Sequence, residues 1–427
     1  MLFLHLSDIH FRASEVATAQ DPNRNLRNEI IRDAKKFCGD LNKTPDGILI
    51  SGDIAYAGQR AEYEFAKAWL NDLAEACGTN LSAVFVCPGN HDVDRKLAGR
   101  ATNRAFHHQI KTAEALTLQQ VMDGLLNDDQ SARILYEPLD EYNNFAGQFF
   151  CDMSAPDRTV VSRDDMRFSD GSQLKIWAVN TAWVSSAADD HDQLFIDTAA
   201  LQIPREAGVE NIVLFHHANR WLRNGQEWDD HMRAVARIQL TGHEHLARVE
   251  EFKSHVRLRA GALHPERSEP SWLPGYNLFE VDIKEIEGRR VMNLDVHVRI
   301  WSPALETFQA QASQDGNVWK NTFPLEPWTP PVPVSINPEG SSDDEAIVGV
   351  GPGIATMNTR EIGIAFFSLS YSRKLEIAGR LNLMDESDMN QPDFERFRRV
   401  FRRAAERHQM AELEAAIADA IGSGTGN

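Results

Sequence analysis

"LTGHEHLARV", residues 240–249, sets His243 and His245 two positions apart, directly after an apolar run and a glycine. A histidine pair of this kind, alone on a surface turn, carries no chemistry. Its meaning depends on what ends the other apolar runs of the chain. Those runs are short and rich in Val, Ile, Leu or Phe, at 1–7, 46–51, 83–88, 174–180, 211–216, 237–242 and 255–261. Each reads as a buried strand. Helical patterns, such as those at 60–76 and 193–206, lie between them, and strands alternating with helices give an α/β layered fold. The later runs "YNLFEVDI" and "RRVMNLDVHVRIW" follow one another with few helical signals and predict antiparallel strands closing a second sheet.

The strand endings form a series: "SDIH", "SGDIAYAG", "CPGNHDVDR", "FHHANRW" and "TGHEH". In α/β sheets ligands bind beyond the carboxyl ends of the strands, so these five endings are expected to converge. Asp, His and Asn make a mixed oxygen and nitrogen donor set, suited to Mn, Fe, Zn or Ni and free of the thiolates of structural zinc sites. Alternate residues of an extended chain share a face, so Asp8 with His10, and His243 with His245, are expected to present paired ligands. Asp53 follows a glycine that permits close backbone approach, and its two carboxylate oxygens can bridge metals roughly 3.5–4 Å apart.

The set resembles the calcineurin-like metallophosphoesterase family, whose pattern is D-x-H, G-D, G-N-H-D/E, H and G-H-x-H in that order. The resemblance covers roughly residues 1–265. It implies a double β-sandwich flanked by helices and a centre of two divalent metal ions. Carried over by position, it assigns Asp8, His10, Asp53 and His245 to one ion and Asp53, Asn90, His216 and His243 to the other. It further implies hydrolysis by a metal-bound water, with His91 as general acid or phosphate-contacting cation. Tyr56 stands where some members carry an acidic residue or histidine that orients the catalytic histidine, so the partner of His91 must come from elsewhere or be dispensable. In "FHH" either histidine has the chemistry of a ligand. His216, the first, is preferred, with His217 behind it.

Other residues are assigned by simpler expectations. Asp92 and Asp94 are read as turn and capping residues, and His5 as a satisfied core or supporting histidine. His107 and His108 are placed on the surface of an insertion. Trp183 and Trp221 are read as core packing, the alternative being a stacking surface for a base.

The bounds come from composition. At 427 residues the chain holds two or three domains, and hydrophobic residues at 42% with charged residues at 25% are those of an ordinary globular protein. The opening "MLFLHLSDIHF" has no basic leader and runs into Asp8 and His10, so it predicts a strand and a cytoplasmic protein with no membrane partner. The four cysteines are scattered and are expected to be reduced core residues. A net charge of −19 disfavours broad non-specific contact with nucleic acid, although bound metal ions would supply a local positive site.

Three regions are expected: a catalytic domain over 1–325 with a helical insertion at 93–150, a proline-rich and acidic linker at 326–358, and a small all-α domain at 359–427. In the last, Phe394, Phe397, Val400, Phe401 and Ala404 recur at helical spacing opposite Arg396, Arg399, Arg402 and Arg403. This tail resembles the effector-associated or death-like adaptor modules of bacterial effector enzymes, which implies a protein partner. The predicted function is a dinuclear phosphodiesterase acting on nucleic acid or a nucleotide, cyclic nucleotides included, with manganese as the expected metal and recruitment through the tail. The competing readings are a small-molecule phosphomonoesterase and a non-catalytic scaffold. Specificity is assigned to the insertion and to the loops around Trp221 and 264–275.

Overall fold

Thirteen strands among the described residues form two sheets in this computed structural model. It describes residues 1–16, 18, 21–156, 158–187, 189–197, 202–264, 273–313, 316–330 and 357–424. In chain order the strands are β1 (Leu2–Leu6), β2 (Gly47–Ser51), β3 (Val84–Cys87), β4 (Val160–Arg167), β5 (Gln173–Val179), β6 (Val209–Leu214) and β7 (Ile238–Thr241). They continue as β8 (Arg248–Glu251), β9 (Val256–Arg259), β10 (Gly275–Ile286), β11 (Arg289–Ser302), β12 (Thr307–Ala310) and β13 (Trp319–Pro324).

One sheet has the order β12-β11-β10-β1-β2-β3, with β13 on β11, and the other runs β4-β5-β6-β7-β9-β8. The sheets pack against each other, β2 on β6 and β3 on β5. Every residue of β1, β2 and β3 is buried, which is why these strands read as unbroken apolar runs with no alternation. Parallel registers, Leu4 opposite Ile48 and Ile50 opposite Val86, bring the carboxyl ends of β1, β2 and β3 to one end of their sheet. Leu214 opposite Leu240 does the same for β6 and β7.

Two expectations are corrected here. The hairpin of β10 and β11 does not close a second sheet. It adds antiparallel to β1, with Leu4 opposite Leu278, and so extends the first sheet, while the second is built from residues 160–259. The helix expected at 193–206 does not form over its described residues. Leu194 bridges Leu222, and Leu194, Phe195 and Ile196 are fully buried, so burial of consecutive side chains replaces the one-faced pattern of a helix. Residues 198–201 of that stretch lie outside the described residues, as do 265–272 of the loop expected to set specificity and 331–356 of the expected linker.

Helices Arg24–Leu41 and Arg60–Ala76 pack on each other, and the segment after β3 is helical at Arg95–Ala98, Ala101–Thr112, Leu118–Leu126, Asp129–Tyr136 and Asp140–Ala146. In that segment His107 is buried rather than on the surface, because it lies on the inward stripe of its helix with Asn103 and Ile110. All four cysteines are buried free thiols. None of the described helices is long and apolar enough to cross a membrane.

The chain divides into two compact units, Met1–Trp328 and Thr329–Asn427. Helices Thr359–Ser368, Tyr371–Arg380, Asp393–Glu406 and Met410–Gly424 make up the described part of the second. Asn358 and Ser370 cap the first two by accepting from the backbone nitrogens of Glu361 and Arg373. Phe366 packs edge-on against Phe397 and Phe401. The expected arginine face is not wholly solvated. Arg396 and Arg403 are buried, Arg403 donating to the fully buried Asp388 at 3.1 Å and Arg396 to the carbonyls of Asp388, Met389 and Gln391. Their positive charge is spent inside the unit.

Candidate metal centre

The loops leaving β1 and β2 are laced by main-chain bonds, Asp8 to Gly52 at 3.1 Å and His10 to Asp53 at 3.0 Å. Asp8, His10, Asp53, His243 and His245 all have φ between 50° and 69°. These are left-handed conformations, costly for residues other than glycine and characteristic of sites where the surroundings hold a strained chain. The Asp-x-His and His-x-His pairs therefore do not lie on an extended chain, as alternation implied. Each pair sits just past its strand, where left-handed residues turn the side chains into a common pocket.

Gly52 (φ 88°) shows how tight that pocket is. A Cβ there would lie 2.5 Å from Nδ1 of His216. At Gly89 a Cβ would meet Oδ1 of Asp53 at 2.2 Å. Both glycines are needed so that backbone can approach side chains that face the pocket.

All seven sequence-derived candidates, Asp8, His10, Asp53, Asn90, His216, His243 and His245, come together. Asp53 Oδ2 lies 3.0 Å from His10 Nε2 and 3.3 Å from His216 Nε2, while its Oδ1 accepts from the His91 backbone nitrogen at 2.8 Å. Asn90 Oδ1 is 3.1 Å from His216 Nε2 and 3.0 Å from His243 Nδ1. Asp8 Oδ1 is 3.3 Å from His245 Nε2, and Asp8 Oδ2 accepts from the His243 backbone nitrogen at 3.1 Å. Potential ligand atoms of Asp8, His10 and His245 lie within 4.8 Å of one another, and so do those of Asp8, Asp53 and His216.

Carbonyl oxygens fix the rings from behind. His10 Nδ1 faces the His264 carbonyl at 3.2 Å, and His216 Nδ1 faces that of Ser51 at 2.7 Å. In both, Nδ1–H donates to the carbonyl and Nε2 is left to address the pocket. His217, with Nδ1 2.9 Å from Thr181 Oγ1, also offers an Nε2 near His216 and His243.

Electrostatics follow from burial and from Asp53. Burial pushes the His243 imidazole down to about 3 and His91 to about 4, and lowers His217 as well. Neutral imidazole is the form that ligates a metal. Burial would lower His216 too, but the Asp53 charge outweighs it and raises His216 to about 9. Burial opposes ionisation of Asp53, yet the surrounding histidines, His216 first, hold its carboxyl well below the usual range.

The partner of His91, absent at the Tyr56 side chain, is the Tyr56 carbonyl, 2.8 Å from Nδ1. Main-chain acceptors leave no trace in a motif. Arg95, four residues on, brings its guanidinium to 3.2 Å from His91 Nε2. The "HDVDR" spacing was the available signal for it. Asp92 accepts from the backbone nitrogens of Gly89 and Ala55 at 2.9 Å and of Ile54 at 3.3 Å, and from Tyr63 Oη at 2.9 Å. It joins two loops, whereas Asp94 caps the helix Arg95–Ala98. His5 is buried, with Nε2 2.9 Å from Ser51 Oγ. Trp183 is buried and donates to the Phe195 carbonyl. Trp221 is half-buried, its ring 4.3 Å from His243 and perpendicular to it.

A family model, calcineurin-like phosphoesterase, matches residues 1–247. The chain belongs to the calcineurin-like phosphoesterase family. A second model, the GTPase-associated adaptor domain, matches residues 358–419. The chain is 23% identical over 261 residues to the uncharacterized metallophosphoesterase-like protein YydB of Bacillus subtilis, covering 57% of the chain and 48% of that protein. It is 30% identical over 92 residues to the glycerophosphodiester phosphodiesterase GpdQ of Enterobacter lignolyticus, covering 22% and 30%. The match thus spans about half the length of the first relative and under a third of the second. Among solved structures, Vps29 from Entamoeba histolytica aligns at 12% identity over 76% of the chain and 99% of its own, with a TM-score of 0.29.

Proposed function

We propose that the enzyme is a dinuclear phosphodiesterase acting on nucleic acid or a nucleotide. Asp8, His10, Asp53 and His245 hold one divalent ion, and Asp53, Asn90, His216 and His243 the other. The observation that carries this reading is the Asp53 carboxylate, whose Oδ2 faces His10 on one side and His216 on the other. The donor chemistry fits a cation. Asp8 Oδ1 is buried and faces His245 Nε2 at 3.3 Å without a well-formed hydrogen bond, an arrangement that an ion bound between the two would satisfy. Oxygen and imidazole donors suit Mn, Fe, Zn or Ni, and manganese is our choice.

When bound, the two ions supply charge that acidifies water and stabilises the attacking and leaving oxygens at phosphorus. The chain does the rest. Asp53 is fixed by the His91 backbone nitrogen, and the Tyr56 carbonyl accepts from His91 Nδ1–H, which leaves Nε2 as the atom that must take up a proton before it can donate to the leaving oxygen. Arg95 adds a permanent cation beside it.

Likeness to a glycerophosphodiester phosphodiesterase supports a diester substrate. The adaptor match supports recruitment of a catalytic domain of residues 1–325, through a linker at 326–358, by a protein partner of residues 359–427.

The test is hydrolysis of bis-p-nitrophenyl phosphate by metal-stripped protein with Mn²⁺ added back, for the wild type and Asp53→Ala. Wild-type activity should require the metal, exceed that on p-nitrophenyl phosphate, and fall by more than about a thousandfold in the variant. A strict preference for the monoester would exclude a diesterase. Equal inertness of both metal-loaded proteins would exclude catalysis.

A further inference from the structure

Beside the candidate centre, two loops are joined into a shelf. Leu194 donates its backbone N–H to the Trp221 carbonyl at 3.0 Å, Arg223 to the Leu194 carbonyl at 2.9 Å, and Asp192 to the Arg220 carbonyl at 3.3 Å. This pairing lays the His191 ring on the Trp221 indole, centroids 4.2 Å apart and planes 22° from parallel. The indole in turn meets His243 edge-on at 4.3 Å. The arrangement is anchored from below. Trp221 packs against the core cluster of Phe215, Leu222 and Trp228, and Arg223 donates to the carbonyls of Lys111 and Ala113 at 2.8 and 2.6 Å.

The His191 side chain is 52% exposed. The exposed ring, with Nδ1 3.5 Å from Asp190 Oδ1, thus lies one ring's thickness from an indole that touches a candidate metal ligand. Arg220, also exposed, lies on the same short turn, Asn219–Trp221, and pairs with Glu244 at 2.5 Å. An aromatic pair with a cation at its rim is the chemistry that receives a nucleobase, because every base has a π face and stacking is tolerant of sequence.

We propose that the His191–Trp221 pair stacks the base of a nucleotide substrate while the adjoining centre takes its phosphate, so that the preferred substrate is a small nucleotide-bearing diester. This rests on the phosphodiesterase reading for the position of the phosphate. The charge of the molecule agrees with it. At −19 the chain repels a long polyanion, whereas a substrate with one or two phosphates is held by local cations.

Calorimetric titration of the full-length, Mn²⁺-loaded protein tests the shelf without turnover. The probes are the non-hydrolysable phosphonate of AMP, with carbon in place of the bridging oxygen, and the corresponding phosphonate of ribose 5-phosphate. In the wild type the base should tighten binding by about tenfold or more. Trp221→Leu should bring the ratio of the two affinities close to one, and His191→Ala, at an exposed position that does not challenge folding, should lower the ratio at least about threefold. A wild-type ratio of one overturns the proposal. So does a ratio unchanged in His191→Ala and Trp221→Leu, or an equal weakening of both ligands by Trp221→Leu, which would make the indole only a prop for His243. The two proposals fail separately. A protein inert toward bis-p-nitrophenyl phosphate that keeps the base preference loses the reaction and keeps the shelf, and an active one with no preference does the reverse.

Discussion

The candidate metal centre and the C-terminal helical unit both bury charge, by opposite means. In the first, five of the seven candidate ligands have left-handed backbones, and two glycines are packed so closely that a methyl group has no room. In the second, the left-handed non-glycine residues among those described, Asn382 and His408, stand past helix ends, where the conformation is an ordinary terminator, and Asp388 is neutralised by Arg403 and Arg399. The lesson is that the first region spends backbone energy to aim polar atoms at a common point. The second arranges charges so that nothing is left to aim.

The contrast is breakable. Gly52→Ala asks for a side chain at φ 88°, 2.5 Å from His216, and should cut hydrolysis of bis-p-nitrophenyl phosphate by about a hundredfold, with metal affinity by calorimetry falling in parallel. Wild-type turnover in that variant would mean that the strained geometry is not what positions the ligands. Next in size is Arg403→Met, which leaves Asp388 buried without its main partner. Thermal or urea unfolding should show a loss of about 3–5 kcal/mol confined to the helical unit, while hydrolysis by the full chain stays within about twofold. If hydrolysis collapsed as well, the two regions would not be energetically separate.

The smallest effect sharpens the account of Asp388. Burial alone would raise its carboxyl, but Arg403 outweighs that and draws it down to about 2. A carboxyl whose folded value is depressed stabilises the fold above its unfolded value, near 4, and that support is lost as pH falls toward 2. Unfolding midpoints of the helical unit should therefore drop through this window, and the drop should be shallower in Asp388→Asn. An equal slope in both proteins would assign the acid sensitivity to other groups.

Much of this was legible in the chain. The apolar runs ending in Asp8, Asp53, Asn90, His216 and His243 lie in short buried strands, and buried strands have no freedom to be anything but apolar. The seven candidates were found because their side chains carry the chemistry. What escaped was carried by main chain or by tertiary contact. The Tyr56 carbonyl behind His91 is the same atom in every residue, so no letter announces it. His191 gained its place on Trp221 through backbone pairing of loops almost thirty residues apart. Arg396 and Arg403 share a helical periodicity with solvated arginines, and it is Asp388 together with main-chain carbonyls of the neighbouring turn that pulls them inward. The left-handed φ of Asp8 and His10 could not be read from D-x-H, which suits an extended chain equally well.

Asp92 has a wider consequence. It closes the "GNHD" motif, yet its carboxylate takes four donors from Gly89, Ile54, Ala55 and Tyr63 and so splices the loop after β2 to the loop after β3. An inventory of ligands would pass a chain that had every metal-facing residue and lacked this one. Such a chain would be a complete set of tools without a workbench, and a search for inactive relatives should inspect the joinery as closely as the ligands.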